Sequence, residues 1–202
     1  MTQALYDSGI GSSAGFSARA AGVQGMPPAI VARHGADTII RYATGPCALG
    51  TILAAATPAG LCAILLGDDP VVLIADLHRR FASADIAPAD PAFAQTLATV
   101  AALVDAPGGG LALPLDVRGS AFQHRVWQAL QRIPAGATAS YTEIATAIGQ
   151  PTAARAVAAA CAANPAAIAI PCHRVLRVGG ALAGYRWGNA RKRALLDAER
   201  AS

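Results

Sequence analysis

The stretch SYTEIATAIGQPTAARAVAAACAANP, residues 140–165, decides the fold of the C-terminal half of this chain. Ser140 and Glu143 have the spacing of a capping box, which predicts a short helix over 142–148. A Gly-Gln-Pro turn follows, and a second helix is predicted over 152–163, ended by an Asn-Pro pair. Two short helices joined by such a turn are typical of a helix-turn-helix, although an ordinary helical hairpin has the same pattern.

The second predicted helix presents Arg155 among alanines, so its slim surface can approach a nucleic-acid groove closely. The basic residues are also concentrated in the half of the chain that contains this helix. Residues 1–117 contain five basic and nine acidic residues, whereas residues 118–202 contain eleven and three. Nearly all of the basic residues are arginines, which suit phosphate recognition. Two interpretations stay open at this point, a basic surface for solubility and a nucleic-acid binding surface.

The N-terminal half has an α/β pattern that ends near Asp116. Short apolar runs predict strands, two of them in a hairpin around a Thr-Pro-Ala-Gly turn, and longer periodic runs predict helices. The predicted strands span 38–43, 49–56 and 61–66, and the predicted helices span 68–84 and 91–104. A Pro-Gly-Gly-Gly linker at 107–110 and an extended stretch at 111–115 lead to the boundary near Asp116. The basic half that follows is predicted to be mostly helical. There, residues 166–170 predict one further buried strand.

Composition excludes several classes of protein. With 54% hydrophobic and 14% charged residues, the chain is too apolar to be disordered. Residues 42–67 carry no charge, but prolines and glycines divide them, so a hairpin is a better interpretation than a membrane span. The N-terminus has no signal pattern, which predicts a cytoplasmic protein. The cysteines are too few for a disulfide scaffold and form no C-x-x-C zinc pair, so free thiols, no metal and no cofactor are expected.

The segment IPCHRV, residues 170–175, has the features of a reactive thiol. Cys172 follows a rigid proline, and His173 can accept its proton. The positive neighbours, Arg174 included, are expected to favour thiolate over thiol. A small buried cysteine is the alternative, and it is the better interpretation for Cys47 and Cys62.

Several motifs around this segment occur in the order that the O6-alkylguanine-DNA alkyltransferase family shows. They are FQ at 122–123, VW at 126–127, IP at 133–134, Gly136, SY at 140–141, RAV at 155–157, Asn164, PCHRV at 171–175 and GYRWG at 184–188. The chain resembles this family from about residue 36 to residue 199. Among family members it most resembles the C-terminal half of the Ada-type proteins. Residues 1–35 resemble part of an AraC-type helix-turn-helix.

The resemblance implies a fold. It predicts an α/β domain at 36–116, with a small antiparallel, ribonuclease-H-like sheet and helices, after a partial AraC-type helix-turn-helix at 1–35. A mostly α domain at 117–202 would carry the active site and a winged helix-turn-helix-like DNA-binding motif.

The resemblance also implies a function. Family members transfer an alkyl group from O6 of guanine, and also methyl from O4 of thymine, in double-stranded DNA to one of their own cysteines. They do so once and as monomers, without a cofactor. The implied catalytic residues are Cys172, His173, Glu199, Tyr141 and Asn164. The implied substrate-binding residues are Tyr185, the backbone of Val175, and Arg186. The implied DNA-binding residues are Arg155, Ala156, Ala159 and Ala160.

The implied roles follow the needs of the reaction. His173, oriented by Glu199, would deprotonate Cys172 through a water molecule. Tyr141 would supply proton character to the departing base. Because the target atom lies inside the base stack, the nucleotide must be flipped out, and Arg155 would fill the gap that it leaves.

Two other interpretations compete. A thiol hydrolase built on Cys172 and His173 is one, although adjacent residues point their side chains differently and so disfavour a direct ion pair. The other is a transcriptional regulator in which alkylation only changes the affinity for DNA.

Overall fold

A mixed sheet and its helices form the first half of the protein, in a computed structural model that describes residues 38–106, 111–182 and 184–201. The proposed helix-turn-helix remnant at 1–35 lies outside the described residues. The strands are β1 (Ile39–Cys47), β2 (Gly50–Thr57), β3 (Gly60–Gly67) and β4 (Asp85–Pro88), in the spatial order β3-β2-β1-β4. The hairpin between β2 and β3 turns at residues 57–60, as predicted.

The prediction of a small antiparallel sheet is confirmed for three strands and wrong for the fourth. Strands β1, β2 and β3 are antiparallel, but β4 pairs with β1 in parallel, from Ile39 opposite Asp85 to Tyr42 opposite Pro88. Helix α1 (Pro70–Arg80) carries the chain from β3 across to β4, and such a crossover is what a parallel pair requires. The run predicted as one helix over 68–84 therefore ends early, because Phe81 leaves the helical conformation before β4 begins.

Two helices pack on this sheet. Asp69 caps α1, since its carboxylate accepts a hydrogen bond from the Val71 N–H at 2.8 Å. After a 3-10 turn (Pro91–Phe93), α2 (Ala94–Asp105) packs on β1 and β2, while α1 packs on β2 and β3. None of the described helices is long and apolar enough to cross a membrane.

The second half is helical with one small parallel pair of strands. Its elements are α3 (Ala121–Gln131), β5 (Ala139–Ser140), α4 (Tyr141–Ala147), α5 (Ala154–Ala162), a 3-10 turn (Cys172–Arg174), β6 (Val175–Leu176) and α6 (Asn189–Ala201). The predicted capping box is confirmed: Ser140 Oγ accepts from the Glu143 N–H at 3.1 Å, and Glu143 Oε2 accepts from the Ser140 N–H at 2.6 Å. The helix pair predicted from residues 140–165 is therefore present as α4 and α5.

The outer edge of β3 joins the two halves. Leu61 pairs with the segment at 114–116, and the Ile64 N–H donates to the Pro165 carbonyl at 2.9 Å. The Ala167 N–H returns a bond of 2.9 Å to the Ile64 carbonyl. The prediction of a strand over 166–170 was wrong, because the chain makes this one bridge to β3 and then turns. The turn leads directly to Cys172.

Substitution of Gly60 tests how tightly the β3 edge is packed. Gly60 has φ +152, and a Cβ there would lie 2.5 Å from the Pro114 carbonyl oxygen. We expect Gly60→Ala to lower the free energy of unfolding by more than about 3 kcal/mol, since backbone must move. Gly179→Ala is the matched control: its φ is +85 with open space around it, so the cost is about 1 kcal/mol. Equal losses in urea titrations would contradict this packing.

Candidate active site

Cys172 lies at the start of a 3-10 turn and is 4% exposed. Asn164 holds it from the other end of the preceding loop. The Asn164 side-chain amide donates to the Ile170 carbonyl at 2.8 Å and to the Cys172 sulfur at 3.1 Å, and its oxygen accepts from the Ala166 N–H at 2.9 Å. These bonds tie both ends of the turn to one buried side chain, so the thiol has a fixed position.

The loop between these residues is strained. Ile168 has φ 69, and it is the one non-glycine residue with positive φ among those described. A branched side chain in this conformation costs about 1–2 kcal/mol. The hydrogen bonds of Asn164 and the bridge from β3 offset that cost, and the strained residue lies four positions before the thiol in sequence.

His173 faces away from solvent and binds Glu199 of α6. The distance from His173 Nε2 to Glu199 Oε1 is 2.8 Å, and both side chains are wholly buried. Burial lowers the pKa of His173, although Glu199 opposes this effect. The imidazole is therefore neutral at pH 7 and free to accept a proton. Its Nδ1 atom has no hydrogen-bond partner among the described residues.

Arg174 is part of this site in a way that sequence reasoning missed. Its guanidinium donates to both oxygens of Glu199, at 2.7 and 3.0 Å, and to the Ile133 carbonyl at 2.5 Å. The Gly136 N–H donates to Glu199 Oε2 at 3.1 Å. Burial alone would raise the pKa of Glu199, but the bonds from His173 and Arg174 outweigh it and lower that pKa to about 2. The carboxylate stays ionised.

The expectation that positive neighbours favour the Cys172 thiolate was wrong. Arg174 points to Glu199 rather than to the sulfur, and burial raises the pKa of Cys172 to about 11. The Asn164 bond and the charge of Lys192 only partly offset this rise. Cys172 is therefore a thiol at rest, as are the other cysteines, which are free.

Lys192 is a second residue that sequence reasoning missed, although it is the single lysine among many arginines. It is 1% exposed, and its ammonium donates to the Val175 carbonyl at 2.5 Å. Val175 itself is buried in β6, where it pairs with Ala139. Lys192 therefore places a positive charge near the thiol and fixes the backbone that follows it.

A cleft of about 490 Å³ opens at Tyr141, which lies close enough to Cys172 for the two to interact electrostatically. Cys172 and His173 are not among the residues that line it. The cleft is lined by Tyr141 and Thr142 of α4, Ala154 and Arg155 at the start of α5, and Arg177 and Gly184 of the later loop. Burial raises the pKa of Tyr141 to about 12, so its hydroxyl remains protonated and can donate. Arg155 is exposed at the rim.

The loop at 184–188 carries the two remaining substrate-binding candidates, Tyr185 and Arg186, which have different surroundings. Tyr185 is buried, its ring packs edge-on against Trp187 at 5.2 Å, and its hydroxyl has no partner among the described residues. Arg186 instead binds Asp76 of α1, with both distances at 3.0 Å. This arginine holds the loop against the first half and does not line the cleft, so its role as a substrate ligand stays a prediction.

The alanines of α5 divide between two faces. Ala156 and Ala159 are exposed, on the same side as Arg155. Ala160 is 2% exposed, and its carbonyl accepts a hydrogen bond from the Trp127 indole at 2.9 Å. Ala160 therefore packs in the core and cannot contact DNA, which corrects that expectation.

Because Glu199 is ionised in the folded protein, the free energy of unfolding should fall at low pH. Its pKa is about 2 when folded and 4.5 ordinarily, so its contribution of about 3 kcal/mol is complete above pH 4.5 and lost as the pH falls toward 2. Between pH 6 and pH 3, wild type should lose about 2 kcal/mol more than Glu199→Gln in urea titrations. The variant itself should be less stable at pH 6, because the buried Arg174 guanidinium loses its carboxylate counter-charge. Identical pH profiles would contradict the assignment.

Comparison with known proteins supplies an independent result. Residues 121–201 match the family model described as 6-O-methylguanine DNA methyltransferase, DNA binding domain. The chain is 49% identical over 200 residues to the bifunctional transcriptional activator/DNA repair enzyme Ada of Escherichia coli, covering 98% of this chain and 56% of that protein. It therefore spans little more than half the length of that relative.

Some shorter relatives are covered more completely. A methylated-DNA–protein-cysteine methyltransferase of Mycobacterium leprae is 47% identical over 113 residues, covering 56% of this chain and 68% of that protein. The crystal structure of the Mycobacterium tuberculosis O6-methylguanine methyltransferase superposes with a TM-score of 0.64 at 36% identity, covering 80% of this chain and 93% of that one. A structure of the M. tuberculosis protein in complex with DNA gives the same TM-score at 35% identity, with 81% and 93% covered.

Proposed function

The chain belongs to the methylated-DNA–protein-cysteine methyltransferase family, and we propose that it repairs DNA by moving the methyl group of O6-methylguanine onto its own Cys172. The observation that carries the proposal is the buried thiol beside a hydrogen-bonded His173, Glu199 and Arg174, next to an open cleft with a protonated tyrosine. O4-methylthymine presents the same methyl-oxygen chemistry and is the second substrate. We propose a monomer as the acting species.

The first step is transfer of the thiol proton. Cys172 is almost wholly un-ionised at neutral pH, so it needs a base, and His173 is neutral and able to act as one. The two are neighbours in sequence and share no direct hydrogen bond, so the proton passes through a water molecule to the imidazole. The ionised Glu199 then stabilises the imidazolium.

The second step is displacement at the methyl carbon. A bond forms between the Cys172 sulfur and the methyl carbon as the bond from that carbon to O6 breaks. The electron pair passes into the guanine ring, and a proton must return to the ring to leave a normal base. Tyr141 lines the cleft with its hydroxyl protonated, so it donates a hydrogen bond to the departing base.

DNA binds along α5 in this proposal. The exposed Arg155, Ala156 and Ala159 give a slim surface, and α4 and α5 form the helix-turn-helix of a winged type of domain. Arg155 lies at the rim of the cleft, where it can occupy the space that an extruded nucleotide leaves. The domain bounds 36–116 and 117–202 remain our division of the chain, as does the ribonuclease-H-like assignment of its first half.

A regulatory function is the second candidate, because the relative of E. coli is named as both a transcriptional activator and a repair enzyme. In that case alkylation changes affinity for one promoter sequence. A binding assay on undamaged DNA separates the two, since a repair protein binds all sequences with similar affinity. Turnover distinguishes a thiol hydrolase from both, because a hydrolase forms more product than there are protein molecules.

Stoichiometry is the direct test of methyl transfer. After incubation with O6-methylguanine duplex, intact mass should show one methylene gained per protein, on the Cys172 peptide. A thioether has no good leaving group, so no more lesions should be repaired than there are protein molecules.

Variants of the cysteines are the control for that test. Cys172→Ser should abolish transfer, whereas Cys47→Ser and Cys62→Ser should retain it. Product in excess of protein, or loss of transfer in either of the last two variants, would refute the assignment of Cys172.

The pH dependence of the rate separates the relay from a pre-formed thiolate. Because His173 has a pKa below its ordinary 6.5 and Cys172 one of about 11, the rate with O6-benzylguanine should be flat between pH 7 and 9 and fall only below 6.5. Attack by the small fraction of free thiolate would instead raise the rate about tenfold per pH unit. Stopped-flow measurements at constant ionic strength decide, and the tenfold rise would contradict the relay.

Arg155 has a task only when a base must be held out of a duplex. We expect Arg155→Ala to slow repair of double-stranded DNA by at least about tenfold, with little effect on free O6-benzylguanine. Tyr141→Phe is the matched comparison, because the leaving base is common to both substrates and both rates should fall. Equal losses on duplex and free base for Arg155→Ala would show that this arginine supports the fold or the chemistry.

A further inference from the structure

A second cleft, of about 470 Å³, lies at the other end of α5 and plays no part in the proposed chemistry. We call it the arginine cleft. It is lined by Arg80 and Phe81 after α1, by Arg118, Ser120 and Gln123 around the start of α3, and by Ala163 directly after α5. None of its lining residues is acidic. Such a composition favours an anion as the ligand.

Arg118 has an unused guanidinium. The group stacks over the Phe81 ring, with 4.2 Å from Cζ to the ring centroid, and makes no hydrogen bond to any described residue. Its Nη2 atom is buried without a partner. A half-buried guanidinium normally satisfies its N–H donors, because leaving them unmade is costly. The arrangement orients a positively charged, planar donor in the cleft wall by stacking alone.

The surroundings of the cleft carry an excess of positive charge. Asp76 of α1 is shared by Arg79, Arg80 and Arg186, so one carboxylate faces three guanidinium groups. Arg80 uses its Nε on Asp76 at 3.1 Å, while its Nη2 atom is buried without a partner. Even with Asp116 near Arg118, the arginines outnumber the carboxylates.

The start of α3 adds donors to the same cleft. The capping box of α3 uses the N–H groups of Ser120 and Gln123. The N–H groups of Ala121 and Phe122 have no acceptor within the helix, as at any helix start. They add to the attraction that the arginines already exert on an anion.

We propose that the arginine cleft binds a phosphate group of the DNA backbone, which makes it a second contact for the duplex that lies along α5. The inference rests on the proposed function. Helix α5 has nine residues and is about 13 Å long. The substrate cleft lies at its first turn and the arginine cleft follows its last residue. A strand that rises about 3.4 Å per nucleotide covers that distance in about four nucleotides.

Removal of the Arg118 charge is the first test. Affinity for undamaged duplex DNA is measured by fluorescence anisotropy over a range of salt concentrations. Arg118→Gln should reduce the slope of log affinity against log salt by about one, the value for one lost phosphate contact. Arg41→Gln is the matched control, because it removes the same charge from β1, where Arg41 pairs with Asp85. Equal slopes for both variants overturn the proposal.

An isosteric change of Gln123 is a second test that protects the fold. Gln123→Glu places a carboxylate in the cleft, yet keeps the capping box, as Glu143 does in α4. This variant should weaken duplex binding several-fold. Gln131→Glu makes the same change at the exposed far end of α3, about 12 Å away along the helix, and should have little effect. Equal effects of the two variants overturn the proposal even if Arg118→Gln fails to fold.

The source of the phosphate is decided by a third measurement. Pyrophosphate is titrated into wild type and Arg118→Gln while amide shifts of Ser120 and Gln123 are followed by NMR. Binding of pyrophosphate together with an unchanged salt slope in Arg118→Gln assigns the cleft to a free anion and overturns the DNA contact. Methyl transfer to Cys172 is assayed in parallel on wild type. If wild type transfers no methyl group, the proposed function is refuted. If it transfers the methyl group but Arg118→Gln and Arg41→Gln have equal salt slopes, only the DNA contact at the arginine cleft is refuted.

Discussion

The carboxylate of Glu199 organises the site because three separate segments of the chain meet on it. It receives bonds from His173 and Arg174 of the 3-10 turn and from the Gly136 N–H between α3 and β5, and it is itself carried by α6. A buried carboxylate without partners would be neutral or would unfold the site. With these partners its pKa falls to about 2, so a permanent negative charge is built into the core.

Burial of Cys172 explains why the resting site is not ionised at the sulfur, and the charge of Glu199 draws Arg174 away from it. Arg174, which from sequence could have stabilised a thiolate, binds Glu199 and the Ile133 carbonyl instead. The thiol therefore has the high pKa of a buried group, and His173 has the low pKa of a buried imidazole. Both are neutral until a proton moves between them, and the imidazolium then faces a carboxylate already in place. The site thus avoids a reactive thiolate while no substrate is bound.

What the sequence could predict follows from the range of the interactions. The capping box of α4 and the hairpin turn at 57–60 depend on residues a few positions apart, and both are present. The match of 121–201 to the family model agrees with the resemblance drawn from local motifs. The strand β4 and the turn at 166–170 were missed, because β4 exists only through parallel pairing with β1, and an apolar run does not reveal a backbone bend at Ile168.

The same limit applies to the site. Cys172 and His173 stand in one recognisable motif, whereas the partners of Arg174 and Arg186 lie 25 and 110 residues away in sequence. Lys192 is the single lysine of the sequence, which marks it as unusual. Composition alone, however, cannot show that its ammonium reaches the Val175 carbonyl. Where a side chain has several possible acceptors, the tertiary structure determines which one it binds.

The first half of the protein acts as the support that fixes the loops of the second. The edge of β3 holds Pro165 and Ala167 ahead of Cys172, and Asp76 of α1 holds Arg186 in the loop behind the cleft. Arg191, at the start of α6, donates to the Leu49 carbonyl at 2.9 Å and pairs with Asp68. These three attachments hold the chain both before and after Cys172 in sequence. A loop strained at Ile168 persists only where its ends are held independently, so the sheet is as necessary to the reactive geometry as the residues around the sulfur.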